Sequence, residues 1–212
     1  MPNQITHIVL TSKVFTETFN KFNKSEFYIG TVFPDIRFLG AIDRAKTHFD
    51  DVTLASVLKA KTSFMAGLLF HNLTDRIFIE NVINILPKIS ELPDIGGAVK
   101  LLADELFYDR VNNWPEIIGY FDKVIPEELD FSIVELDFGI AEKDLSKWHQ
   151  TVSGIFRKRP TDASNSRFMR VINFSENYIN QANRSLPIIR SHDDAVKILS
   201  DFYDNFDHLI KN

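Results

Sequence analysis

Apolar side chains return every three or four positions along most of this chain. At the N-terminus Ile5, Ile8, Val9, Ser12 and Phe15 follow that step, which predicts an amphipathic helix with His7 near its start. Further on, the apolar positions Leu54, Val57, Leu58, Phe64, Met65, Leu68 and Leu69 continue through Phe78 and Val82 to Leu86, where Pro87 stops the pattern. With Asp51 or Thr53 as a cap, they predict one long helix from Thr53 to Leu86, with Gly67 as the point where it can kink. A helix so apolar belongs at the centre of the fold, and this one should be the longest. Shorter helical patterns follow over Val99–Val111, Trp114–Val124, Ile140–Phe156, Phe168–Ala182 and Asp193–Leu209, with Pro126, Pro160 and Pro187 between them as boundaries.

Two stretches break the helical step. Residues 29–50 have no period and are punctuated by Gly30, Pro34 and Gly40, so they read as an irregular excursion over the body of the protein. Residues 130–138 alternate weakly through Phe131, Ile133, Leu136 and Phe138, but a single short strand has no partner, and loop or short helix is expected. Gly96-Gly97 after Pro93-Asp94 marks a turn before a helix. Without an internal repeat or low-complexity linker, the expectation is one all-α domain over residues 1–212, a multi-helix bundle around the long central helix. At least half the residues should be helical, with no sheet larger than a hairpin. The half from 1 to 86 carries the candidate chemistry, and the half from 87 to 212 completes the core.

Composition narrows the classes of function. Apolar residues make up 44% of the chain and 19 are Phe, enough for a substantial aromatic core. Lys and Arg total 24 against 29 Asp and Glu, and the net charge of −5 has the wrong sign for tracking duplex nucleic acid. The single basic triplet, Arg157-Lys158-Arg159 before Pro160, reads as the charged end of a helix. With no cysteine, disulfides, thiolate ligands and a cysteine nucleophile are excluded. The first residues lack a basic region followed by an apolar run, and no stretch approaches the roughly 18 apolar residues of a membrane span. A cytoplasmic protein with at most peripheral membrane contact is expected. No glycine-rich phosphate loop, nucleophile elbow or dinucleotide fingerprint is present.

The candidate chemistry lies in the first half. His71 and Asp75 are four residues apart, so a helix stacks them on one face, where both can grip one metal ion. An isolated pair of this kind is more often a helix-surface hydrogen bond. Here its neighbours are Leu69, Phe70, Leu73, Ile77 and Phe78, and an ionised carboxylate buried among them costs several kcal/mol unless a cation compensates it. Histidine with carboxylate is ligand chemistry for zinc, although other divalent ions accept the same groups.

Upstream stand Thr6-His7, Gly30-Thr31-Val32-Phe33-Pro34-Asp35 and Thr47-His48-Phe49, followed by Gly67-Leu68-Leu69-Phe70-His71 and Asp75. In order, residue type and context these segments resemble the successive metal-binding motifs of the zinc-dependent phospholipase C family, whose wider superfamily includes fungal single-strand-specific nucleases. The resemblance covers roughly the first 80 residues. It implies that Asp35, His48, His71 and Asp75 hold one zinc ion and that His7 helps Asp75 hold a second, with the N-terminal residue, here Met1, completing the second site in the family. The chain also departs from the family. No further histidine follows Asp75 until His149, so the third metal site of three-metal members is expected to be missing.

The implied activity is hydrolysis of phosphoric ester bonds in a small phosphoester or phospholipid head group, with Asp35 as both ligand and general base. A non-catalytic relative, in which metal clamps the N-terminal helix and the 29–50 excursion onto the long helix, is the alternative. A third reading, a helical interaction module, needs no metal. His149, His192 and His208 lack ligand spacing and read as structural, His192 with Ser191 or Asp193 as a helix cap and His208 at a helix end. Glu105 and Asp109 read as a solvated acidic pair rather than a replacement ligand.

Overall fold

The computed structural model describes residues 3–86, 95–123 and 138–211, and among these described residues ten α-helices account for most of the chain. Among the described residues there is no strand, and the molecule is an all-α, multi-helix bundle. The order is α1 (Gln4–Thr18), α2 (Lys24–Val32), 3₁₀ turns at Phe33–Leu39 and Arg44–Lys46, α3 (Leu54–Leu58), α4 (Ser63–Phe78) and a π-helical turn at Ile79–Ile83. Then come α5 (Ile95–Phe107), a 3₁₀ turn at Tyr108–Arg110, α6 (Trp114–Lys123), α7 (Glu142–Phe156), α8 (Asp162–Val171), α9 (Glu176–Arg190) and α10 (Asp193–Leu209).

The long helix expected from Thr53 to Leu86 is divided, and at 17 residues α10 exceeds the 16 of α4. The division lies in two competing caps. Thr53 and Ser56 form a capping box that starts α3, and Thr62, in an extended conformation, accepts a hydrogen bond from the Met65 amide and starts α4 afresh. Apolar periodicity runs across both pieces because both bury one face, so period alone does not see the break. Position is as expected for α4: twelve of its sixteen residues are buried, at the centre of the bundle.

Residues 29–50 are also more regular than expected. Asn23 caps α2 by accepting from the Glu26 amide, and the helix runs through Ile29 and Gly30 before passing into the 3₁₀ turn that carries Asp35. Gly30 interrupts the pattern for a tertiary reason. A Cβ there would lie 2.1 Å from the Phe64 carbonyl oxygen, and one on Gly67 would lie 2.0 Å from that of Phe27. The two glycines let α2 and α4 cross backbone against backbone. Gly67 is thus a contact rather than a kink.

In the second half the Phe168–Ala182 pattern is two helices, parted where Asn173 adopts a left-handed φ of 63° and Ser175 caps α9. Pro187 lies inside α9 instead of ending it. Its turn is held by Leu186 and Ile189, both fully buried, and by the Ser191 amide bonding back to the Pro187 carbonyl. Gly96-Gly97 sits within the first turn of α5 rather than before it. Pro160 falls between α7 and α8 as expected; Pro87, Pro93, Pro126 and residues 130–137 of the weakly alternating stretch lie outside the described residues. A chain of aromatic contacts, Phe15–Phe27–Phe70–Phe206, joins α1, α2, α4 and α10.

Candidate metal centre

Each ligand candidate arrives on a separately held element. The first two turns of α1, from Gln4 to Thr11, are buried throughout, which carries His7 into the interior. Asp35 follows Pro34 in the 3₁₀ turn after α2. His48 sits in an irregular segment fastened by Asn72: the Phe49 amide donates to Asn72 Oδ1 at 2.8 Å, and Asn72 Nδ2 donates to the Thr47 carbonyl at 3.0 Å. His71 and Asp75 stand one turn apart on α4. All five are brought together. The ligand atoms of His7, His71 and Asp75 lie within 4.8 Å of one another, and so do those of Asp35, His48 and His71.

The two triads share His71, whereas the motif resemblance makes Asp75 the shared ligand. His7 stacks on His71 with ring centroids 4.0 Å apart, and His48 meets the His71 ring edge-on at 5.3 Å. Three nitrogens face the Asp75 carboxylate: His7 Nε2 at 3.2 Å, His71 Nε2 at 3.4 Å and His48 Nε2 at 3.8 Å. These are ion-pair contacts, and none has the alignment of a good hydrogen bond. His7 Nε2, His48 Nε2, His71 Nε2, Asp35 Oδ1 and both Asp75 oxygens are all buried without a hydrogen-bond partner. Such a concentration of unsatisfied polar atoms costs about 1–3 kcal/mol for each group left unpaired. Donors bound at 2.0–2.1 Å around one tetrahedral ion stand roughly 3.3 Å apart, and the nitrogen to oxygen distances here fall around that value. The residues fit a divalent metal ion.

Two of the three rings are held on their opposite sides as ligands require, while His7 Nδ1 has no hydrogen-bond partner. His71 Nδ1 lies 2.8 Å from the Thr31 carbonyl, so Nδ1–H donates there and Nε2 faces the cluster. This contact depends on the glycine crossing of α2 and α4. His48 Nδ1 meets the Thr47 hydroxyl at 3.1 Å, and Gln4 Nε2 donates to Asp35 Oδ2 at 2.8 Å, leaving Oδ1 toward the cluster with Arg37 Nη2 3.6 Å away.

Burial and charge set protonation. Burial, with help from the neighbouring His71, lowers His7 and His48 to about 3, so both are neutral near pH 7. For His71 burial also disfavours charge, but Asp75, Asp35 and the Thr31 carbonyl together outweigh it and raise its pKa. Asp75 is likewise opposed by burial and held ionised by His71 and His7, well below the usual carboxylate range. Asp35 is pushed upward, chiefly by burial. A cation at this position meets the neutral imidazoles of His7 and His48 and the ionised carboxylate of Asp75, and takes the place of the proton that His71 tends to hold.

The site has a mouth. A cleft of about 520 Å³ reaches His48 and Asp75 and is bordered by Arg44, Phe49, Arg76 and Ile79. On the other side, a cavity of about 40 Å³ touches Gln4, Asp35 and Lys100. Gln4, Thr31 and Asn72 were not singled out from sequence. Gln4 lies three residues before His7 and Asn72 directly after His71, but nothing local says that an amide will bridge to a segment 23 residues away.

The remaining histidines stay apart from the cluster. His149 is buried against Phe121, its pKa lowered to about 4 by burial; His192 occupies the N-cap of α10, where neither Ser191 nor Asp193 provides the cap; and His208 is 3.6 Å from Asp207. Glu105 pairs with Arg190 and Asp109 with Arg159, so both are engaged in surface ion pairs. Met1 lies outside the described residues. Compared with family models, curated proteins and solved structures, the chain matches none. Among the described residues, no helix is long and apolar enough to cross a membrane.

Proposed function

We propose that the protein is a metal-dependent hydrolase of phosphoric ester bonds, similar in its ligand set to zinc-dependent phospholipases C. The observation that carries this reading is the set of buried His and Asp atoms, none in a well-aligned hydrogen bond, converging from four segments and approached by an open cleft. His7, Asp35, His48, His71 and Asp75 would hold zinc, as one or two ions, or another divalent metal. When bound, the metal supplies Lewis acidity toward a phosphoryl oxygen and lowers the pKa of water toward 7.

The chain's own groups do the rest. His48 and Asp75 face the cleft and meet the phosphoester first. Arg44 and Arg76 stand at its border among Asp50, Asp51 and Glu80 and offer guanidinium donors to the phosphoryl oxygens. Asp35, anchored through Oδ2 by Gln4, offers Oδ1 to take a proton from the attacking water, and the cavity beside it has room for a water molecule. Phe49 and Ile79, 39% and 38% exposed, offer apolar contact to the organic part of a small phosphoester or phospholipid head group.

One observation favours a second reading, a non-catalytic metal-stabilised binding protein: the donors tie together segments far apart in sequence and are almost wholly buried. Elemental analysis and a panel of phosphodiester and phosphomonoester reporters separate the two. The hydrolase reading expects bound zinc, loss of hydrolysis by at least a hundredfold in His71→Ala and in Asp35→Asn, and a largely retained fold. Wild-type protein that is loaded with zinc and inactive across the panel, with His71→Ala sharply lowering the melting temperature, would establish the structural role instead.

A further inference from the structure

A second cleft, of about 310 Å³, is lined by none of the five ligand candidates. It forms where α1 and α2 meet α10 and the segment leading into α6. Lys13, Lys24 and Arg110 line it, with Glu116 as the one carboxylate and Tyr28 and Tyr203 as its aromatic walls. Three cations around one opening are notable in a chain whose net charge is −5.

The carboxylate neutralises Lys24 and leaves Lys13 and Arg110 to other partners. Glu116 already accepts hydrogen bonds from Lys24 at 2.9 Å, from Asn113 Nδ2 at 2.9 Å and from the Tyr120 hydroxyl. Asp109, next to Arg110 in sequence, pairs instead with Arg159 at 3.0 Å. Arg110 has no carboxylate within ion-pair distance among the described residues; its guanidinium lies over the Tyr203 ring, 5.0 Å from the centroid. The Lys13 ammonium lies 4.8 Å from the same centroid, donates to the Asp204 carbonyl at 3.3 Å and makes a long ion pair with Asp207 at 3.9 Å.

Two cations held against one ring repel each other, and an exposed cation–π contact contributes only about 0.5–1 kcal/mol. An anion in the cleft that both line offsets that repulsion. The donors suit phosphate more than carboxylate: a flat guanidinium that binds two oxygens at once, two ammonium groups, and the hydroxyls of Ser12 and Tyr28 on the lining. Burial pushes the Tyr28 phenol up to about 12, so it keeps its proton. The volume stands at the lower end for small-molecule pockets, larger than a bare phosphate needs.

We propose that Lys13, Lys24 and Arg110, arranged around Tyr28 and Tyr203, bind a phosphate monoester group carried on a small organic molecule. This site is independent of the metal-centre reading. The test titrates inorganic phosphate and glycerol phosphate into the full chain, in chelator and at about 0.15 M salt, by calorimetry and amide NMR. Saturable binding is expected, tighter for glycerol phosphate, with shifts at residues 12–13, 110–113 and 203.

Arg110 is exposed on a 3₁₀ turn, so Arg110→Gln should keep the fold and weaken binding roughly tenfold or more. Lys13→Met should weaken it several-fold, and His71→Ala should leave it unchanged. Loss in either charge variant with His71→Ala unaffected upholds the site. No saturation below about 20 mM, wild-type affinity in both charge variants, or loss in a His71→Ala protein whose amide spectrum remains that of the folded chain overturns it. If inorganic phosphate binds as tightly as glycerol phosphate, the ester assignment is overturned.

Discussion

Asn72 stands beside His71 and carries no charge, yet it decides where His48 lies. Its oxygen accepts from the Phe49 amide, and its nitrogen donates to the Thr47 and Leu68 carbonyls, so one side chain ties the His48 segment to α4. Asn72→Ala leaves the Phe49 amide and the Thr47 carbonyl unpaired. The expected cost is about 2–4 kcal/mol in urea unfolding, with zinc affinity at least tenfold weaker by chelator competition. An unchanged affinity would show that His48 needs no such tether. At this scale the sequence named all five ligand candidates by residue type and order. The supporting amides escaped it because an Asn or Gln acquires its role only from partners that the fold brings near.

Helices here depend on one another for their ends. The N-cap residue of α1, Asn3, makes no capping bond to its own helix; Asp104 of α5 supplies it, accepting from the Thr6 amide at 2.9 Å and the Thr6 hydroxyl at 2.6 Å. This bond sets the start of the helix that carries His7. Burial pushes Asp104 up to about 7, against the opposing effect of the Thr6 hydrogen bonds. The folded pKa therefore lies above the ordinary 3.8. The contribution of Asp104 to stability is fully present below that ordinary value and is lost as pH rises toward 7, because the unfolded chain releases its proton first.

Asp104→Asn keeps an acceptor for Thr6 and removes the titration. Its stability relative to wild type should improve by about 3 kcal/mol between pH 5 and pH 8, at about 1.4 kcal/mol per pH unit. Urea unfolding at the two pH values checks this, and a difference that stays constant would place the ionisation elsewhere. Neither the borrowed cap nor the division of the 53–86 helix follows from periodicity, which reports burial of a face and not the identity of the neighbour.

Taken as a whole, the first half of the molecule is arranged so that one small volume collects polar atoms from α1, the 3₁₀ turn, the His48 segment and α4. Metal bound there favours only the folded state, by about 4 kcal/mol at a thousandfold excess over Kd. Chelation should lower the melting temperature by roughly 10 °C for a domain of this size, zinc should restore it, and calcium, which takes oxygen ligands, should not. Calorimetry before and after chelation checks the prediction; identical transitions would deny any linkage between metal and fold.

The helical class, the centrality of Ser63–Phe78, the ends of α10 and the type and order of the five ligand candidates were legible in the sequence, because periodicity, proline and residue chemistry act over a few positions. The meeting of His7 with His71, the backbone contact at Gly30 and Gly67, the cap from Asp104 and the gathering of Lys13 and Arg110 at Tyr203 were decided only by the tertiary structure. Each joins residues far apart in the chain, and what selects such a pairing is packing of the whole core, to which no short stretch of sequence gives access.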